Sequence, residues 1–155
     1  MTKAIDQTDN GSTPQLLLEN QICFSLYSAA NAMIRAYRPL LNKLNLTYPQ
    51  YLVMLVLWRN NGINVKSLGN KLHLDSGTLT PLLKRLEAKG IIVRKRSDVD
   101  ERSRDMFLTE VGEKLRQKAA QVPETILCKS GLKTEQLLAL KSGCEQLTQN
   151  LESTR

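Results

Sequence analysis

The sequence predicts a mostly α-helical fold with a small β-hairpin, arranged as a winged helix-turn-helix. Three observations support this prediction. Apolar residues recur at spacings of three and four over most of the chain, which is typical of amphipathic helices. Two short helical patterns follow each other closely over residues 64–89. The pattern then changes to a β-branched run, Ile91–Arg94, whose candidate return strand is Met106–Leu108.

Two helices are predicted in the first part of the chain. Apolar periodicity predicts a long helix from Gln15 to about Asn42, and Pro39 lies near its end, where proline bends or stops a helix. Thr47 is a good N-cap for a second helix, which is expected to stop at Asn61–Gly62.

The helix-turn-helix is predicted from two further segments. Asn64 is suited to cap a helix over Val65–Leu72. Asp75–Ser76 introduces the next helix, which ends near Lys89. Because proline has no amide to donate inside a helix, Pro81 requires that helix to start close to residues 77–78.

The wing and the C-terminal helices follow. The two strands enclose a charged turn, Ser97–Ser103, and Thr109 is expected to cap a helix that runs to about Gln121. A last helix is predicted over Thr134–Glu152. It carries a narrow apolar stripe of the kind that two helices share, so we expect it to pair with its own copy in a two-fold dimer; the stripe comprises Leu137, Leu140, Cys144, Leu147 and Leu151.

Positive charge is concentrated in the helix-turn-helix and the wing. The net charge of +7 and the pI of about 9.5 indicate a polyanionic partner. A solvated basic face is the alternative explanation of such a charge run. Here the run coincides with helix, turn, helix and hairpin in that order, so duplex DNA is the predicted partner. The basic residues of the run are Lys84, Arg85, Lys89, Arg94, Lys95, Arg96, Arg102 and Arg104.

Individual DNA contacts are predicted from position. The second helix of the pair is expected to read DNA through Ser76, Thr78, Thr80 and Arg85, although Ser76 and Thr80 are equally good candidates for capping their own helix. Arg102, at the predicted wing tip, is placed to enter a minor groove. The remaining arginines of the hairpin are expected at phosphates; they are Arg94, Arg96 and Arg104.

The chain is expected to form one domain over residues 15–155 after a disordered tail over residues 1–14. Within the domain, residues 15–46 and 109–155 are assigned to dimerisation and residues 47–108 to DNA binding. No apolar run approaches the roughly 20 residues of a membrane span, and the start lacks a secretory segment, so we predict a cytoplasmic protein without a membrane partner.

Four segments resemble a known family. Leu74–Glu87 resembles the recognition helix of MarR-family regulators, and Arg94–Gly112 resembles that family's wing and the helix after it. More narrowly, Leu18–Phe24 and Leu46–Tyr51 resemble the organic hydroperoxide resistance regulators within the family. The match covers the chain from about Leu16 onward. It implies a transcriptional repressor, not an enzyme, that acts as a homodimer on an inverted-repeat operator and responds to organic hydroperoxides.

The resemblance also assigns residues. The family's sensing cysteine matches Cys23, and its DNA contacts match Asp75, Ser76, Thr78, Arg85 and Arg102. In members with a second, resolving cysteine, that residue lies in a later helical region, which Cys128 matches. One-cysteine members rely on a small external thiol instead. Cys144 lies on the apolar stripe and is expected to be structural.

The expected surroundings of Cys23 contain three tyrosines. In the middle of a long helix, Cys23 would have no helix N-terminus to stabilise its thiolate, so hydroxyl donors would be required. Tyr27 lies four residues on, beside Cys23 on the same helix face. Tyr37 lies about 21 Å further along the axis at 1.5 Å per residue, so only the Tyr37 of a second copy reaches the sulfur. The resemblance implies that Tyr37 and Tyr48 bond the sulfur across the dimer, with Tyr27 a further candidate.

The expected chemistry is oxidation of Cys23 to a sulfenic acid, which Cys128 of the other subunit captures as a disulfide. The alternative is a MarR-type repressor released by a small phenolic or lipophilic ligand in the dimer crevice. A thiol peroxidase and an RNA- or membrane-binding protein are weaker alternatives. No cofactor is predicted, and no metal site, because the three cysteines are widely spaced and the single histidine, His73, has no ligand cluster beside it.

Overall fold

The computed structural model describes residues 13–97 and 103–153, and its architecture confirms the predicted winged helix-turn-helix. After two 3-10 turns, Pro14–Leu16 and Leu18–Asn20, the described residues form α1 (Ile22–Asn42), α2 (Tyr48–Leu57), β1 (Ile63–Asn64), α3 (Val65–Leu72), α4 (Ser76–Ala88), β2 (Ile92–Arg96), β3 (Arg104–Leu108), α5 (Glu110–Ala119), α6 (Val122–Ser130) and α7 (Thr134–Ser153). The chain divides into two compact units, residues 1–35 and 36–155. Most of the tail predicted over residues 1–14 lies outside the described residues.

In the first unit, α1 begins at Ile22, so the prediction that it begins at Gln15 is wrong. Two side chains explain the late start. The Asn20 side-chain nitrogen donates to the Pro14 carbonyl at 2.8 Å, and the Gln21 side-chain nitrogen donates to the Gln15 carbonyl at 2.6 Å. These bonds occupy carbonyl groups that a helix from Gln15 would use, because such side chains compete with the helical ladder.

In the second unit, the helix-turn-helix packs on a small sheet through one apolar core. Side chains from α2, α3, α4 and the sheet are fully buried there, including Met54, Leu68, Leu83 and Met106. The predicted caps are present: Asn64 accepts from the Ser67 amide at 2.8 Å, and Thr47 and Thr109 cap α2 and α5. His73, in the left-handed conformation with φ of 52°, ends α3.

The recognition segment differs from the prediction at its start. α4 begins at Ser76, before the predicted residues 77–78, because Asp75 caps it. Pro81 therefore lies inside the helix and leaves the Gly77 carbonyl without its usual amide partner. Both residues are exposed, so water can bond this carbonyl.

The sheet has a third strand that the sequence did not reveal. Its order is β1-β3-β2, with antiparallel pairing throughout. α2 already ends at Leu57, and the Asn61–Gly62 turn leads the chain into β1. Gly62 has a φ of 86° and donates its amide to the Met106 carbonyl at 2.9 Å. The Asn61 side chain accepts from the Leu108 amide at 2.9 Å, so this turn is built into the sheet.

The structure divides the region after Thr109 into α5 and α6, and Pro123 lies in the first turn of α6.

Over residues 13–97 and 103–153, none of the helices has the length and apolar character that crossing a bilayer requires.

We expect Gly112→Ala to destabilise the fold. A Cβ atom at Gly112 would lie 2.2 Å from the Ile91 carbonyl oxygen, and the Gly112 carbonyl also accepts from the Trp58 indole at 2.9 Å. Overpacking of this kind costs roughly 1–3 kcal/mol of unfolding free energy, which urea denaturation measures. Gln117→Ala, at an exposed position of α5, is the control and should change stability little. An unchanged urea midpoint for Gly112→Ala would contradict the close contact.

Candidate DNA interface and thiol sensor

The N-terminus of α4 presents an exposed polar edge. Asp75, Ser76 and Thr78 are all exposed. Asp75 accepts from the Thr78 amide at 2.8 Å and from the Thr78 hydroxyl at 3.2 Å, and these bonds hold the pKa of its carboxyl below the ordinary value. Asp75 is therefore the helix cap, which leaves Ser76 free of that role.

A concave surface of about 520 Å³ lies between the helix-turn-helix and the strands. Lys66 of α3 and Arg104 of β3 line it from opposite sides. Ser76 and the half-buried Thr80 line it from α4. Cations and hydroxyl groups around a concave surface are suited to hold a phosphate backbone.

The arginines of the hairpin have different surroundings. Arg96 and Arg104 are exposed and face each other in register at the end of the hairpin. Like charges directly opposite each other are unfavourable in an isolated sheet, so this pair favours an anion nearby. Arg94 instead pairs with Glu87 of α4, with nitrogen–oxygen distances of 2.8 and 2.9 Å. The Arg94 side chain also lowers the pKa of Glu87.

Two other basic residues are predicted to contact DNA. Arg85 is exposed on α4, and its predicted contact with DNA remains a prediction. Arg102, the predicted minor-groove residue, lies outside the described residues.

The position of Cys23 differs from the prediction because α1 starts late. Cys23 is the second residue of α1 and is exposed. It therefore lies in the first helical turn, whereas the sequence predicted the middle of a helix. Amides in a first turn lack partners within the helix, and this end of a helix favours negative charge. Cys23 thus lies at the helix terminus that the sequence prediction did not place there. Tyr27 lies one turn on and is also exposed.

Three tyrosines form an aromatic cluster in the second unit. The ring centroids of Tyr37 and Tyr48 lie 4.9 Å apart, and those of Tyr37 and Tyr51 lie 5.9 Å apart. Trp58 extends the cluster, 6.4 Å from Tyr51. Tyr37 and Tyr48 were predicted at the sensor, whereas Tyr51 was not. Its spacing of three residues from Tyr48 on the same helix was the available signal.

Burial raises the pKa of each phenol in the cluster. It raises the pKa of Tyr37 and of Tyr48, and the neighbouring Tyr48 raises that of Tyr37 further. For Tyr51, burial and the two neighbouring phenols raise the pKa to about 12. A phenol carries a proton that it can donate at neutral pH, and the raised pKa values extend this protonated form to higher pH.

The other two cysteines lie on the C-terminal helices. Cys128 is exposed on α6 and lines a shallow hollow with Lys129. Cys144 is half-buried on α7. No group of three or more His, Cys, Asp or Glu side chains suited to a metal ion occurs in the described part of the chain.

Two helices expose apolar side chains. At the start of α1, Ile22 is 67% exposed and Phe24 is 40% exposed. α7 buries none of its residues, and four of its leucines are exposed: Leu138, Leu140, Leu147 and Leu151. Several exposed leucines on a helix that buries none of its residues are typical of a protein interface.

Comparison with known proteins identifies the family. The model of the SarA/Rot transcriptional regulators matches residues 35–122. The organic hydroperoxide resistance transcriptional regulator of Bacillus subtilis is 52% identical over 134 residues, which cover 86% of this chain and 91% of that protein. The chain belongs to the MarR-like family of winged-helix transcriptional regulators.

Solved structures of AbfR, a protein of Staphylococcus epidermidis, resemble this MarR-like chain. Reduced AbfR bound to DNA is 39% identical with a TM-score of 0.73, and the match covers 88% of this chain and 93% of that one. Disulfide-formed AbfR is 37% identical with a TM-score of 0.60, over 84% and 92% of the two chains. In this MarR-like fold, α3 and α4 form the helix-turn-helix and β2–β3 form the wing.

The raised pKa of Tyr51 predicts an alkaline loss of stability. The folded state binds the phenolic proton more tightly than the unfolded chain, so this contribution is complete below pH 10 and is lost as pH rises towards about 12. One unit of pKa shift corresponds to about 1.4 kcal/mol. Between pH 9 and 12, we therefore expect the wild type to lose on the order of 2 kcal/mol more than Tyr51→Phe does, measured by urea denaturation. Parallel losses in both proteins would contradict the buried protonated phenol.

Proposed function

We propose that this MarR-like regulator senses organic hydroperoxides through Cys23 and releases its operator DNA when that cysteine is oxidised. The observation that carries the proposal is the pair of phenols, Tyr37 and Tyr48, with ring centroids 4.9 Å apart and raised pKa values. Half-buried, protonated phenols are suitable donors to a thiolate. Such donors stabilise the form of cysteine that attacks a peroxide.

In the proposed assembly, the phenols act on the cysteine of a second copy. Fourteen residues separate Cys23 from Tyr37 along the sequence, which corresponds to about 21 Å of helix. A homodimer in which the start of each α1 approaches the Tyr37 and Tyr48 of its partner brings the groups together. The exposed apolar side chains of α1 and α7 support such a dimer, because pairing removes them from water.

The proposed reaction has two steps. The Cys23 thiolate attacks the distal peroxide oxygen; a sulfur–oxygen bond forms, the oxygen–oxygen bond breaks, and the alkoxide leaves and takes up a proton as the alcohol. The Cys128 thiol of the other copy then attacks the sulfenic acid, which forms the disulfide and releases water. Two thiols and one hydroperoxide thus give one disulfide, one alcohol and one water. The exposed apolar side chains beside Cys23, Phe24 and Ile22, favour an organic peroxide over hydrogen peroxide.

Operator binding is assigned to the exposed polar edge of α4 and to the wing. We propose that Ser76, Thr78 and Arg85 approach base edges, and that Arg96, Arg104 and Arg102 contact the DNA backbone and the minor groove. Asp75 and Arg94 hold this surface in shape through the α4 cap and the Glu87 pair. A dimer would present two such surfaces to an inverted repeat.

The relatives support this function. The Bacillus subtilis relative is named for organic hydroperoxide resistance, and AbfR has structures in a reduced DNA-bound form and in a disulfide form.

A hollow of about 670 Å³ favours a second candidate function, release by a small ligand. Tyr51, Trp58, Arg59 and Arg116 line this hollow, so it offers aromatic surface and two cations. The Cys23→Ser variant separates the two functions. It keeps its DNA under peroxide if oxidation is the signal, whereas it releases DNA when an aromatic carboxylate is added if ligand binding is the signal.

Non-reducing electrophoresis after treatment with cumene hydroperoxide tests the disulfide. We expect a covalent dimer for the wild type and none for Cys128→Ser, because that variant lacks the thiol that captures the sulfenic acid. Cys144→Ser is the matched control and should give the wild-type dimer. A wild type that remains entirely monomeric on the gel, or a covalent dimer in Cys128→Ser, would contradict the proposed pairing.

A further inference from the structure

We propose that Lys89 is a positioning residue that couples the phenol pair to the recognition helix. Its ammonium group ties the C-terminal end of α4 to the first turn of α2, so that a movement at Tyr48 reaches the helix that reads DNA. This inference rests on the sensor function proposed above.

Lys89 is exposed, and its contacts join α4 to the α1–α2 connection and to α2. It is the C-cap of α4, and its backbone amide bonds to the Arg85 carbonyl. Its ammonium donates to the Asn45 carbonyl at 2.6 Å and to the Gln50 side-chain oxygen at 3.0 Å. Hydrogen bonds from a charged donor are about twice as strong as neutral ones. Lys89 was predicted among the basic residues that face DNA, whereas these bonds direct its charge to the α1–α2 connection and the first turn of α2.

The Gln50 side chain connects the two helices. It is only 3% exposed, and its oxygen accepts both the Lys89 ammonium and the Thr47 amide, each at 3.0 Å. The Gln50 backbone amide donates to the Thr47 hydroxyl at 3.4 Å and completes the capping box of α2. Because one buried oxygen serves both donors, a shift of the α2 cap changes the bond to Lys89. If the bond to Lys89 breaks, the buried Gln50 oxygen loses one of its two donors, and this loss costs free energy.

The phenol pair lies next to this junction. Tyr48 is the first residue of α2 and directly follows Thr47, the cap. Its ring packs on that of Tyr37, which belongs to α1. A change in the hydrogen bonding of the two phenols therefore acts on the turn that Gln50 and Lys89 hold. Asn45, the other acceptor of Lys89, has a φ of 54° and lies in the same α1–α2 connection.

Fluorescence anisotropy on reduced and cumene hydroperoxide-treated protein tests the coupling. The probe is a labelled duplex that the reduced protein has selected from a random-sequence library. For Lys89→Met we expect the wild-type dependence of affinity on salt, but at least a tenfold smaller ratio between the oxidised and reduced Kd. Arg104→Met, a variant of a proposed contact with the DNA backbone, should lower the salt slope by about one and keep the wild-type ratio.

Two anisotropy results would overturn the proposal. In one, Lys89→Met lowers the salt slope by about one and keeps the ratio, which is the behaviour of a phosphate contact. In the other, both the slope and the ratio are those of the wild type.

Amide hydrogen exchange without oxidant gives an independent readout. In Lys89→Met we expect faster exchange at Gln50 and Tyr51 in α2 and at Gly90 after α4, with β2 and β3 unchanged. Faster exchange confined to α4, or spread over the whole unit, would contradict a specific link. A wild type that keeps its DNA under peroxide would refute the sensor function, while this exchange pattern still decides whether Lys89 joins the two helices.

Discussion

Burial of three phenols in one aromatic cluster is the constraint on which the proposed sensor depends. Tyr37, Tyr48 and Tyr51 lie where α1 meets α2, and burial raises the pKa of all three hydroxyls, which carry their protons at neutral pH. A phenolate would repel a thiolate, whereas a neutral phenol donates a hydrogen bond to it. In the proposed dimer, these donors stabilise the reactive form of the sulfur.

The same region of the second unit lies next to the DNA-reading helix. α2 begins with Thr47 and Tyr48, and Gln50 in its first turn accepts a bond from Lys89 at the end of α4. Glu87 and Arg94 tie the other side of α4 to the wing. The recognition helix is thus held by polar contacts to α2 and to β2. Breaking a shared, buried hydrogen bond is a discrete event, which suits a two-state switch better than gradual deformation does.

The sequence predicted features that depend on local chemistry. The caps Asn64 and Thr109 and the hairpin follow from residue type and short-range pattern, and the structure contains them. β1 was missed because two residues carry no detectable period and pair with β3 far along the chain. The start of α1 was wrong because Leu16 and Leu18 extend the apolar pattern, while Asn20 and Gln21 bond back to carbonyls. The partners of Lys89 were not predictable, because they lie 39 and 44 residues away.

The most direct measurement is the oxidation rate of Cys23 in mixed dimers. One chain keeps Cys23 and carries Tyr37→Phe and Tyr48→Phe; the other keeps both tyrosines and carries Cys23→Ser. In the homodimer of the first chain, the account predicts slow oxidation of Cys23 by cumene hydroperoxide. In the mixed dimer, the partner supplies both phenols, so the same cysteine is predicted to react at the wild-type rate. A cysteine that stays slow in the mixed dimer, or one that is already fast without the tyrosines, would contradict donation across the dimer.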